Sequence, residues 1–385
     1  MIRSLLFLLL APAVAIGDVV DTLETALGTT VRDLRQHFCP DRRVAVFDIN
    51  WTRMDSAVIL RGEVDNVRAH DSLLTAVRPL APGGIVDSVL VLPSPALGAK
   101  TYGIIVLSVA NIRSKPGESE ELGTQATMGA VVKVLKRGPG YYYVQCADQY
   151  LGWLDGGAFF PTDRAGVDAW AATNKVILTD YFQMVREKPT NDALPVCDAV
   201  IGNIFKRDGV ENGWTAIELA DGRKGYLPSS SLMEHAAWRE TRHLSSENVE
   251  RTAQLFVGVP YLWGGTSSKG MDCSGFTKTV YRLNGTEINR DASQQVLNGR
   301  DVDPGKNFEN LRKGDLLFFG RQATEGRPER IVHVAIYLDH RRFIHSSGRV
   351  RFSSFDPASP EFDEYNLKRF VRARRIIPES TVPER

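Results

Sequence analysis

Of the four cysteines in the 385-residue chain, Cys273 stands where a thiol can be put to work. It lies between Asp272 and the small residues Ser274 and Gly275. It opens a stretch that reads as a helix, with Phe276, Val280 and Leu283 on one face and Asn284-Gly285 as its stop. Unpaired N–H groups at a helix start favour an anion and lower a thiol pKa. Small neighbours let a substrate reach the sulfur and let local N–H groups hold an oxyanion. Cleavage of an amide by a thiolate also needs an imidazole beside the sulfur and a third group that orients it. Two of the seven histidines fall at suitable places: His333 opens the alternating run H-V-A-I-Y-L, and His345 closes the run F-I-H. On adjacent antiparallel strands the two rings can meet, His333 as base and His345 as a neutral orienter that accepts its hydrogen bond. Taken alone, a buried thiol and a structural strand histidine are the more ordinary readings of each residue.

These residues need a scaffold of helices followed by strands. Ser245 and Ser246 can cap a helix running to Val257, the Cys273 helix follows, and three strand-like runs (Leu316 to Phe319, His333 to Leu338, Arg342 to His345) suggest an antiparallel meander in an α+β layout. Four features nearby have plainer readings. Asp315 is expected in a turn, Trp263 beneath the site loop, Arg372, Arg374 and Arg375 on the solvated face of a final strand, and His340 in an exposed hairpin turn.

Upstream, an offset of 73 relates two segments without a gap. Arg113 and Pro116 recur as Arg186 and Pro189, Gly129 as Gly202, Val131 and Val132 as Ile204 and Phe205, Tyr141 as Trp214, Val144 as Ile217, and Gly152-Trp153 as Gly225-Tyr226. A fixed period marks a duplicated unit. Short strands with glycine turns, such as Val131 to Leu135, Tyr142 to Cys146 and Leu151 to Leu154, suggest a small β-barrel for each copy. Before them, a helix carrying Leu23, Leu27, Val31 and Leu34, a strand with Phe47, Ile49 and Trp51, its partner at Val58 to Leu60, a helix over Val67 to Val77 and a strand over Val86 to Leu92 read as a small α+β domain ending at Pro93, Pro95 and Gly98.

Bulk properties exclude several classes. A net charge of +1 carries no general pull toward nucleic acid or anionic membrane. Arg3, the apolar run Leu5 to Leu10 and the small residues Ala13, Ala15 and Gly17 have the layout of a secretory leader over residues 1–17. No later run approaches the roughly 18 apolar residues of a membrane span. The cysteines are far apart without a C-x-x-C, so no metal site or cofactor is expected. In an exported chain two of Cys39, Cys146 and Cys197 could pair, or all could stay single thiols.

The motifs form an ordered set: Y-L-W-G-G, D-C-S-G-F, R-D-A-S-Q-Q, K-G-D-L-L-F-F, H-V-A-I-Y-L and F-I-H-S-S-G. In this order they resemble the NlpC-type cell-wall cysteine peptidases over residues 245–378, which implies a papain-like α+β fold and a triad of Cys273, His333 and His345. N-I-R-S-K-P, Q-A-T-M-G and Y-L-G-W-L resemble bacterial SH3-like domains, first over 101–163 and more weakly over 175–235. With an α+β docking domain over 18–98, this multidomain order resembles the γ-D-glutamyl–L-diamino acid endopeptidases, the dipeptidyl peptidase VI class. The resemblance implies peptidoglycan stem peptides with a free L-Ala amine as substrate, release of L-Ala-γ-D-Glu, action outside the cytoplasm, and no nucleic-acid or membrane partner; a monomer is expected. Such a substrate calls for donors to the D-Glu carboxylate, for which Ser274 and Ser293 are candidates, and for pocket residues, for which Tyr261, Asp272 and Asp291 are candidates. By the same resemblance the first SH3-like domain lends an acid and a tyrosine, matched by Glu121 (or Glu120) and Tyr150. Competing readings are a general peptidoglycan endopeptidase, a wall-binding protein, and a thiol amidase or acyltransferase on a related core.

Overall fold

The computed structural model describes residues 16–378, with side chains from Leu23 onward. The leader-like segment expected over 1–17 lies almost wholly outside the described residues. The chain divides into two compact units, one ending at Pro95 and one beginning at Ala96.

In the first unit, α1 (Ile16–Phe38) buries Leu27 and Val31 against a three-stranded sheet of β1 (Phe47–Met54), β2 (Ala57–Val64) and β3 (Ile85–Val91). β1 and β2 form an antiparallel hairpin. β3 runs parallel to β2 because α2 (Val67–Val77) carries the chain back across the sheet. Asn66 caps α2 by accepting the Arg68 N–H at 2.9 Å. Leu27, Ile49, Leu60, Leu73 and Val77 make one apolar core; full burial of such a side chain is worth roughly 1.5–3 kcal/mol.

The second unit opens with two copies of one antiparallel sheet. The first comprises β4 (Tyr102–Ile105), β5 (Val109–Arg113), β6 (Leu122–Thr127), β7 (Val131–Arg137), β8 (Tyr141–Gln145), β9 (Leu151–Asp155) and β10 (Phe159–Thr162). A short α3 (Arg164–Ala172) leads to the second: β11 (Lys175–Leu178), β12 (Phe182–Arg186), β13 (Pro195–Val200), β14 (Ile204–Glu211), β15 (Trp214–Glu218), β16 (Lys224–Pro228) and β17 (Leu232–Glu234). The strand orders, β10-β4-β7-β8-β9-β5-β6 and β17-β11-β14-β15-β16-β12-β13, match element for element. The correspondence reaches individual bonds. Arg113 donates to the Glu120 carbonyl at 2.8 Å, as Arg186 does to Ala193 at 3.0 Å. A Cβ on Gly152 would lie 2.9 Å from the Arg113 carbonyl oxygen, and one on Gly225 would lie 2.9 Å from that of Arg186. Glycine recurs there because two backbones meet in each copy.

A linker helix, α4 (His235–Thr241), leads to the C-terminal part. There α5 (Ser246–Gln254) is capped by Ser245, and a two-stranded turn, β18 (Thr266–Ser267) with β19 (Gly270–Met271), delivers the chain to α6 (Cys273–Leu283). After the one-turn α7 (Ala292–Gln295) come β20 (Arg300–Val302), β21 (Leu316–Arg321), β22 (Arg330–Tyr337), β23 (Arg342–Ser347), β24 (Arg349–Ser354), α8 (Glu364–Lys368) and β25 (Phe370–Arg375). The sheet order is β20-β25-β21-β22-β23-β24. β21 is central and buried on both faces, so it reads as the unbroken run L-L-F-F. Leu316 and Phe318 pack with α6, and Leu317 and Phe319 with the aromatic cluster of Phe343, Phe355 and Phe370. Arg375 departs from the solvated reading: it is buried against Asp315, Nε to Oδ1 at 2.7 Å and Nη2 to Oδ2 at 2.7 Å. Asp315 also accepts the Arg312 N–H at 2.8 Å, closing the turn expected of it. All four cysteines are unpaired. No helix among the described residues is long and apolar enough to cross a membrane.

Candidate active site

Cys273 is the first residue of α6 because Asp272 ends the preceding turn as an N-cap, accepting the Gly275 N–H at 2.7 Å. The other Asp272 oxygen accepts the Gly264 N–H at 2.9 Å, which ties the Y-L-W-G-G turn to the helix start. The Cys273 sulfur is reached by the backbone N–H groups of Ser274 and Val334. Val334 follows His333 on β22, so the strand that carries the imidazole lies against the thiol.

The pairing of β22 with β23, Ile336 opposite Ile344 and Tyr337 opposite Phe343, continues to place Ala335 opposite His345. His333 is then the diagonal neighbour of His345 on one face, a relation that long side chains can span. The rings meet, His333 Nε2 to His345 Nδ1 at 2.8 Å, and His345 Nε2 faces the Ser353 hydroxyl at 3.2 Å. The Asp363 carboxylate stands 4.0 Å from the same Nε2. If His345 keeps its proton on Nε2 toward Ser353, its Nδ1 accepts from His333, and the free lone pair of His333 is on Nδ1.

The titration of these groups differs from the expectation of an acidic thiol. Burial, with the Asp272 carboxylate adding to it, pushes the Cys273 thiol up to about 12. The two N–H groups and Arg290 pull the other way, as a helix start should, but do not prevail. Burial, helped by Arg369, lowers His333 to about 4. Burial and His333 lower His345 well below the usual imidazole range. Both shifts favour a thiol beside a neutral imidazole over an ion pair. Tyr261 is half-buried; burial raises its phenol, and Cys273 and Asp272 beside it raise it further, so it stays a donor close to the sulfur.

One residue of importance lay unremarked in R-D-A-S-Q-Q. Arg290 is fully buried and donates to both Asp272 oxygens (Nη1 to Oδ1 3.1 Å, Nη2 to Oδ2 2.6 Å), to the Ser274 hydroxyl at 3.0 Å and to Thr124 of the first barrel at 3.2 Å. Burial opposes its charge, but Asp272 outweighs that and raises its pKa. With Arg290 and the two backbone donors, the Asp272 oxygens are engaged within the protein. The Ser274 hydroxyl, which also donates to Asp272 at 3.3 Å, is likewise engaged. Asp291 caps α7 in a capping box with Gln294, and Ser293 is exposed in the same turn.

The first barrel meets this region directly. The Tyr150 hydroxyl donates to Asp291 Oδ2 at 3.2 Å, and Glu121 Oε1 accepts the Trp263 indole N–H at 2.8 Å. Glu121, rather than Glu120, therefore faces the C-terminal part, while Glu118 is held within its own barrel by Tyr141 at 2.9 Å. Trp263 does not pack beneath the loop; it is 63 % exposed because its ring stands at the barrel edge. Lys278 of α6 completes the contact, buried between Asp148 of the barrel at 3.3 Å and Glu287 at 2.8 Å. Sequence reasoning gave no sign of Ser353 or Asp363, which reach His345 only through the sheet.

Comparison with known proteins shows the family. The NlpC/P60 family model matches residues 258–375, and that of the bacterial dipeptidyl-peptidase SH3 domain matches residues 112–158. A Lysinibacillus sphaericus protein named dipeptidyl-peptidase 6 is 30 % identical over 266 residues, which are 67 % of this chain and 93 % of that protein. The chain belongs to the NlpC/P60 family. Members of this family are cysteine peptidases. A Bacillus cereus relative named γ-D-glutamyl-L-lysine dipeptidyl-peptidase is 34 % identical over 161 residues, 42 % of this chain and 45 % of that protein. The crystal structure of an NlpC/P60 family protein from Bacillus cereus superposes with a TM-score of 0.61 at 23 % identity, covering 72 % of this chain and all of the other, a likeness of fold.

Proposed function

We propose that the protein hydrolyses the bond between γ-D-Glu and the diamino acid in peptidoglycan stem peptides whose L-Ala amine is free, releasing L-Ala-γ-D-Glu. In this reading the SH3-like modules are residues 101–163 and 175–235, the catalytic domain is 245–378, and 18–98 is a docking domain. Cys273 is the nucleophile. His333 Nδ1 takes its proton as the sulfur attacks the γ-carbonyl, then returns it to the leaving amine. Water hydrolyses the thioester with His333 again as base. His345 holds the His333 ring, and the neutral Tyr261 phenol is a donor for the tetrahedral oxyanion.

The observation that carries this choice is the barrel edge at the site, with Glu121 on Trp263 and Tyr150 on Asp291. A wall there suits a substrate that ends at L-Ala. The second Glu121 oxygen and the Tyr150 and Asp291 oxygens are acceptors suited to an ammonium. Ser293 is the candidate donor for the D-Glu carboxylate, while Asp272 and Ser274 contribute by holding the helix start. The names of the relatives point the same way, toward a dipeptidyl-peptidase acting on γ-D-glutamyl peptides, and such substrates fit a place of action in the periplasm or outside the cell. The mechanism uses residues of one chain, so a monomer would suffice for it.

The test compares free L-Ala-γ-D-Glu-diamino acid with the same peptide acetylated, or muramyl-linked, at L-Ala. A charge-assisted hydrogen bond is worth about 1.5–3 kcal/mol, so blocking the amine should lower kcat/KM by roughly tenfold to a hundredfold. Glu121→Gln should lose much of that preference and Glu118→Gln little. Equal rates on the free and blocked peptides would leave a general peptidoglycan endopeptidase.

A further inference from the structure

A cavity of about 580 Å³ runs along the C-terminal half of α6, where both barrels and the α4 linker meet the catalytic part. Three guanidinium groups line it: Arg239 and Arg242 from the linker and Arg282 from the last turn of α6. None has a side-chain partner among the described residues, and Arg242 Nε is buried with no acceptor. The two carboxylates in the wall, Asp148 and Glu287, are both committed to Lys278, at 3.3 and 2.8 Å. The cavity is therefore lined by four cations and two carboxylates, and the unmatched charge is all on arginine. The carbonyls that end α6 do not cancel it, since Tyr281 accepts from the Asn284 and Thr286 N–H groups and Arg282 from that of Gly285. The rest of the wall includes a flat apolar face, with the His235 and Trp238 rings stacked at 5.9 Å.

An arginine on an open surface needs no partner, because water serves it. That holds for Arg239, which is exposed, but Arg242 and Arg282 are half-buried in the same cavity wall, and the Arg242 Nε donor is buried and left over. Guanidinium forks match the paired oxygens of carboxylate and phosphate, and the volume is that of a small-molecule site. We propose that this cavity is a second binding site, separate from Cys273, for a small organic polyanion that carries at least two carboxylate or phosphate groups beside an apolar portion.

Titration calorimetry of the full chain carrying Cys273→Ala tests this with three probes at low salt: citrate, inorganic phosphate and L-Ala-γ-D-Glu. At least one is expected to bind one-to-one with a Kd below about 1 mM. Citrate against phosphate tells which oxyanion is preferred, and the dipeptide tells whether a product of the proposed reaction is a source. Arg242→Gln and Arg282→Gln should each weaken binding at least about tenfold. The exposed Arg239→Gln should weaken it in the same direction and provides a variant whose fold is not in question. Absence of heat with all three probes would overturn the proposal. So would binding that all three substitutions leave unchanged, including dipeptide binding lost only in Glu121→Gln, which would belong to the cysteine site.

Discussion

Replacing Arg290 by Met removes the charge that neutralises Asp272 while keeping an unbranched apolar chain. Arg290 is 1 % exposed as a side chain and Asp272 10 %, so the carboxylate would be left buried with only the Gly264 and Gly275 N–H groups and the Ser274 hydroxyl. Breaking one side of a buried ion pair costs about 3–5 kcal/mol, and for a unit of this size the melting temperature should fall on the order of 10 °C. Activity should fall as well, because Arg290 is one of the groups that draw the Cys273 pKa down. A further rise leaves less thiolate at neutral pH, so kcat/KM should fall, by about tenfold for each pKa unit of rise. Asp272→Asn combined with Arg290→Met removes both charges and should recover more than half of the lost melting temperature, since an amide oxygen still caps Gly275. Thermal unfolding and kcat/KM on the stem tripeptide are the two measurements. An Arg290→Met protein melting within about 2 °C of the parent would refute the argument. A double variant no better than the single would move the cause from charge to the Thr124 contact and packing.

His333→Ala should lower kcat as much as Cys273→Ala does, since the two act as a unit. His345→Asn should retain roughly tenfold more activity than His345→Ala, because an amide oxygen still accepts from the base; equal rates would remove His345 from the relay. Iodoacetamide labelling of Cys273 should be slow at pH 7 and keep rising beyond pH 9, as burial demands; a plateau near neutrality would mean a pre-formed thiolate. His333 titrates near 4 in the folded protein against about 6.5 unfolded, so between those pH values the unfolded chain binds more protons and stability rises with pH. Melting temperature should thus fall as pH drops from about 6.5 to 4, an effect on the order of 3 kcal/mol, and His333→Gln should flatten that slope.

The residues proposed to carry the chemistry could be picked out as candidates because their signals are local. A thiol at a helix start needs only Asp272, Ser274 and Gly275 around it, and the strands of His333 and His345 announce themselves by alternation. The duplication was equally plain, because an offset of 73 preserves the glycines on which the sheet geometry depends. Element types held for the same reason: α2 spans Val67–Val77 as its periodicity predicts, and Asn284-Gly285 closes α6. The strands β20 and β24 were missed, since Arg300, Asp301, Arg349 and Arg351 hide their alternation.

What the sequence could not decide depends on burial and on contacts between distant segments. Cys273 has the helix-start environment that favours a thiolate, yet its pKa rises, because desolvation is a property of the packed whole and here it outweighs the N–H groups. Arg290 looked like one basic residue among 47 lysines and arginines until the fold buried it between Asp272, Ser274 and Thr124, the last of these 166 positions away. Glu121 and Glu120 are equivalent as letters; the sheet turns Glu121 toward Trp263 and leaves the Glu120 carbonyl to Arg113. Types and spacing thus determined which groups are available for chemistry, while the charge each one carries and the partner it meets were decided by tertiary packing, because those energies come from desolvation and from atoms that only the fold brings close.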